Sequence, residues 1–145
     1  MTSLRTALLL MFIIVPAFAQ DAADGPTDPK AQKTYKEGLD NLHRRLTEIA
    51  LGDFKKADKQ DGGHCVACQK EMVRLGTKVG DWKVAELGAE EQIAEAKNEK
   101  VTALAHFDFG NLLLTEGANR HKDEIFARAH EDFIQSTGRF SEFTG

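Results

Sequence analysis

A triad of residues recurs along this chain at a fixed interval. Gly38, Phe54 and Ala57 are spaced sixteen and three residues apart, and Gly110, Phe126 and Ala129 repeat that spacing 72 residues later. Such a period constrains a fold more than a local motif does, because each unit must bury its apolar face against the next. The interval equals two units of about 36 residues, and a degenerate copy fits between them on Met72-Val73, Gly80, Ala85 and Ala89. The spacing predicts a chain that stacks like units.

Within the units the apolar period is helical. Tyr35, Leu39, Leu42 and Leu46 step by four, three and four, and Leu46, Ile49, Ala50, Phe54 and Ala57 follow the same rule up to the break at Asp61-Gly62-Gly63. Cys65, Cys68, Met72, Leu75 and Val79 form one stripe that ends at Gly80-Asp81. Trp82, Ala85, Ala89, Ile93 and Ala96 make a fourth, closed by the charged run Lys97 to Lys100. Val101, Leu104, Ala105, Phe109, Leu112 and Leu113 lead to a stop near Gly117-Ala118-Asn119. Ile125, Phe126, Ala129 and Phe133 form the last stripe, before Gly138. With 41% hydrophobic and 29% charged residues and three prolines, the composition is that of a folded helical chain. The expected fold is all-α: six amphipathic helices in antiparallel pairs joined by turns of two to five residues.

The beginning of the chain reads differently. Arg5 is followed by an apolar run from Ala7 to Val15, then Pro16 and the small-x-small sequence Ala17-Phe18-Ala19. This is the pattern of a cleavable export signal over residues 1–19. The run is about half the length needed to cross a bilayer, and no later stretch is apolar enough to span one. Residues 20–30 are polar and contain two prolines, so they are expected to form a flexible arm that ends where Asp28-Pro29 starts a helix. The expected location is periplasmic or extracellular. A net charge of −4, with lysines interleaved among acids as in Lys55-Lys56-Ala57-Asp58-Lys59, argues against nucleic acid.

The residues of the repeat resemble the tetratricopeptide (TPR) family. Gly38, Ala50, Phe54 and Ala57 in the first unit, Ala85 and Ala89 in the second, and Gly110, Phe126 and Ala129 in the third stand at the family's packing positions. Asn41, Lys122 and Ala89, which stands where an aromatic is usual, depart from its pattern. The resemblance implies a solenoid of three helix–turn–helix repeats at 31–64, 65–100 and 101–136, with 137–145 as a tail. It implies a concave face that binds a protein or peptide through first-helix side chains, placed at Lys36, Asp40, Lys70, Arg74 and Asp108. Gly52 to Asp58, Gly63-His64-Cys65-Val66-Ala67-Cys68 and His121 to His130 look more closely like the helical-repeat segment of secreted bacterial thiol–disulfide oxidoreductases. Nothing resembles their thioredoxin-like domain, so that likeness implies a stand-alone relative or a part of a longer protein.

Cys65 and Cys68 carry the only catalytic chemistry the sequence suggests. A disulfide or a redox pair suits an exported protein with Cys-x-x-Cys spacing, but the polar stretch after Phe54 does not supply the buried strand a catalytic pair is displayed on. The preferred reading makes both cysteines small buried residues of the stripe through Met72, Leu75 and Val79. His64 with the two cysteines gives three zinc ligands where a closed site wants four, and Gln69 stands where haem attachment requires histidine. No cofactor or metal is expected, and no phosphate loop, nucleophile elbow or zincin motif occurs. The expected function is a non-catalytic interaction module, with a thiol–disulfide redox protein as the alternative.

Overall fold

The structure is a computed structural model and describes residues 24–141, with side chains to residue 138. The export signal expected at 1–19, the first residues of the arm and the end of the tail lie outside the described residues. Among the described residues six helices follow one another: α1 Pro29–His43, α2 Thr47–Gln60, α3 Val66–Val79, α4 Trp82–Ala94, α5 Glu99–Arg120 and α6 Asp123–Ser141. Among the described residues there is no strand, and no helix is long and apolar enough to cross a membrane.

Local chemistry sets most of the helix starts. Asp28 caps α1, its Oδ1 accepting the N–H groups of Lys30 and Ala31 at 2.8 and 2.9 Å, while Pro29 needs no partner for a missing donor. Asp81 accepts from Val84 at the start of α4, and Asn98 from Val101 at the start of α5. Two of the stops lack the usual glycine. Arg45 and His121 turn the chain at φ 62° and 54°, left-handed backbone at residues other than glycine. Gly117 does not end α5, which runs on to Arg120, and Gly138 lies inside α6.

The helices pair as α1/α2, α3/α4 and α5/α6, and each hairpin packs on the next through α2 with α3 and α4 with α5. Small residues let the partners approach. A Cβ on Gly38 would lie 3.0 Å from the Phe54 ring, and one on Gly76 would lie 2.9 Å from the Ala85 nitrogen. In the third hairpin the register differs from the one the sequence spacing implies. Gly110 sits under Phe133, not Phe126, and Phe126 covers Gly117 instead. Both pairs are symmetric about the His121–Lys122 turn, as facing residues of an antiparallel hairpin must be. Phe126 is consequently 38% exposed, whereas Phe54 is fully buried.

Two apolar clusters replace a single core. One, at the joint of the first two hairpins, holds Ala50, Leu51, Phe54, Ala57, Met72, Leu75 and Val84; Tyr35 packs edge-on against Phe54 at 5.4 Å. The other joins Ala85 and Ala89 of α4 to Phe109, Leu112, Leu113, Ile125 and Ala129. Helix α4 serves both clusters, so the middle hairpin buries a face on each side. Cys65 and Cys68 lie in the first cluster with no exposure, as the stripe requires, but they are not free thiols: they form a disulfide. The i, i+3 spacing brings the two side chains together on the first turn of α3, where the Cys65 Sγ also accepts the Cys68 N–H at 3.1 Å.

Candidate functional site

Helices α3 and α5 come from different hairpins and touch only lightly, with α4 behind them. A groove opens between them. Lys70, Val73, Arg74 and Thr77 form the α3 wall, Asp108, Asn111 and Thr115 the α5 wall, and Ala89, Ala105 and Leu112 the apolar floor, around about 400 Å³. Each wall is a helical face: 70, 74 and 77 on one side, 108, 111 and 115 on the other. The groove continues past Gln92 into a second cavity of about 400 Å³ lined by Val66, Lys97, Val101 and Leu104, with Lys70 and Asp108 shared by both. Leu104 and Val101 are among the most exposed large apolar side chains of the described residues.

Of the five residues placed on a binding face, the structure brings three together here: Lys70, Arg74 and Asp108. Lys36 and Asp40 are exposed on α1 and do not line this groove. Arg74 pairs with Glu71 on its own helix. Burial pushes the Asp108 carboxyl above its usual range. The sequence puts Val73 in the repeat packing and gives Thr77, Gln92, Asn111 and Thr115 no role, although Thr77, Asn111 and Thr115 follow from continuing each wall by one or two turns.

A second polar cluster sits behind the disulfide. Gln69 is fully buried and donates from Nε2 to the Gly63 carbonyl at 2.8 Å and to Asp58 Oδ1 at 3.2 Å. Asp58 of α2 comes close to Glu91 of α4, and its like charge opposes ionisation of Glu91. Burial, with the charge and hydrogen bond of Asp58 added, pushes Glu91 up to about 7, and burial raises Asp58 as well. His64, beside the cysteines, pairs with Glu95 at 2.8 Å, and that hydrogen bond raises its pKa.

The joint between the second and third hairpins has a like contact, Glu86 with the fully buried Glu116. Here Arg128 reaches Glu86 and Arg120 reaches Glu116. Among the described residues no three His, Cys, Asp or Glu side chains are placed to hold a metal ion. Both cysteines are buried, whereas the α3–α5 groove is open surface with charge on both walls. Comparison with protein-family models, with curated proteins and with solved structures finds no match.

Proposed function

We propose that this chain is an exported, non-catalytic binding module: a TPR-like solenoid of three helix–turn–helix repeats whose α3–α5 groove takes a segment of a protein or peptide. The carrying observation is the groove itself. Two helices from separate hairpins present Lys70 and Arg74 opposite Asp108 over an apolar floor, which suits a side chain of the partner in the floor and polar anchoring at the walls. The sequential stacking of hairpins and the division of the core into two joints support the solenoid reading.

The test is selection of displayed random nine-residue peptides on the protein without residues 1–19. Selected peptides should bind with micromolar affinity, and the pair Lys70→Glu and Arg74→Glu should weaken them by tenfold or more. Lys36→Glu should leave them unchanged. No enrichment, or equal loss from both kinds of variant, would overturn the groove as the site. Export is tested separately by expressing the whole chain in a bacterium: the product should be recovered outside the cytoplasm with Gln20 as its first residue.

The disulfide favours a second reading, a thiol–disulfide redox protein or an accessory segment of a thioredoxin-like oxidoreductase using Cys65 and Cys68. Exchange requires an attacking thiolate to reach a sulfur in line with the bond, and both cysteines are 0% exposed. Oxidation of a substrate dithiol by the folded disulfide form, or reduction of a substrate disulfide by the folded dithiol form, at a rate above that of a free small-molecule disulfide or thiol would establish this reading in place of the first.

A further inference from the structure

The described part of the N-terminal arm lies across one end of the groove, held by polar contacts at two points. The Asp24 carboxylate lies 2.7 Å from the Lys70 ammonium, and its backbone carbonyl accepts the Ala67 N–H at 2.9 Å. Farther along, Asp61 Oδ1 accepts the Thr27 N–H, the Thr27 hydroxyl and the Asp28 N–H, at 2.8, 3.1 and 2.7 Å, with Pro26 buried between the two attachments. Asp24 itself lines the cavity that continues the groove.

Lys70, the cation shared by both halves of the groove, is thus already matched by an acidic residue on an irregular segment of the chain. Arg74 stands one turn along the same face, and Lys97 lies at the far rim. Among the described residues no cation pairs with Asp108 across the groove.

We propose that Asp24 occupies in cis the place of an acidic residue of the partner, so that the groove takes an acidic peptide segment and the arm competes with it for Lys70. This rests on the groove being the binding site. The arm's ion pair is half-exposed and therefore weak, so an incoming carboxylate displaces it at modest cost, and removing it raises affinity by about three- to fivefold. Asp108 repels an acidic segment and would attract a basic one, so it separates the two classes of partner.

The experiment repeats the nine-residue peptide selection on Asp24→Ala and on the near-isosteric Asp24→Asn, each confirmed as folded by circular dichroism. Peptides from these selections should be enriched in Asp and Glu and bind both variants about three- to fivefold more tightly than the parent chain. Lys70→Glu should remove the gain and the acidic preference together, and Asp108→Asn should strengthen binding. If parent and variants select the same peptides with equal affinity, or if basic peptides are enriched and Asp108→Asn weakens them, the competition is overturned while groove binding stands. If no variant or parent binds any peptide, both readings fall.

Discussion

Gly88 and Gly52 both sit inside helices, yet their surroundings differ completely. A Cβ on Gly88 would lie 2.8 Å from the Gln69 carbonyl oxygen and 3.0 Å from the Met72 Cβ, whereas one on Gly52 would meet nothing within 4 Å. Gly88→Ala should cost about 1–3 kcal/mol because α3 must move away. Gly52→Ala should stabilise by about 0.5–1 kcal/mol, since it only removes freedom from the unfolded chain. Urea unfolding of both variants checks the pair. The sequence displayed both glycines alike, because spacing cannot say which one faces a neighbour. The stripe places the cysteines inside the core and leaves their bonding open, since a buried stripe position suits a thiol and a half-cystine equally. The disulfide closes only a short loop, so its loss should cost about 1–2 kcal/mol. Dithiothreitol should reduce it slowly in the folded protein and quickly in urea, as mass shift after thiol alkylation will report.

At the scale of elements, the two joints between hairpins use the same contact in different company. Glu86 and Glu116 meet between two arginines, whereas Asp58 and Glu91 make no ion pair among the described residues and have the Gln69 amide and the Cys65 N–H beside them, with Asp61 and Glu90 adding negative charge. In the unfolded chain Glu91 titrates near about 4.3; in the folded chain it is pushed up to about 7. The folded state therefore keeps a proton that the unfolded state has released, and stability that is full below the ordinary carboxyl range declines as pH rises through 7. Allowing for its partial exposure, the loss between pH 5 and pH 8 should be about 1–2 kcal/mol. Urea midpoints across that range should fall for the parent chain and fall less for Glu91→Gln, in which the His64–Glu95 pair still titrates. None of this was visible in the chain order, because Asp58 and Glu91 lie on helices α2 and α4 and meet only through the stacking. Helix ends were opaque for a related reason: Arg45 and His121 make their turns in left-handed backbone without the glycine that usually marks one. The caps at Asp28 and Asp81, by contrast, fall where the sequence marked a helix start and a break.

At the scale of the whole molecule, the helical period and the recurrence at 72 residues were enough to give an all-helical chain of stacked pairs. They did not give the register of the third hairpin, where the longer α5 and α6 put Phe133 where Phe126 was expected. The groove was half legible. Lys70, Arg74 and Asp108 converge, but Lys36 and Asp40 stay apart on α1, because the groove forms between the second and third hairpins and the first does not reach it. A binding role requires that a partner occupy that groove. The most direct measurement is amide chemical-shift mapping of the protein with a selected peptide. Shifts should concentrate on Lys70, Val73, Thr77, Asp108, Asn111 and Thr115 and leave the outer faces of α2 and α6 unmoved. Shifts confined to α2, α6 or the cysteine turn, with the groove silent, would contradict it.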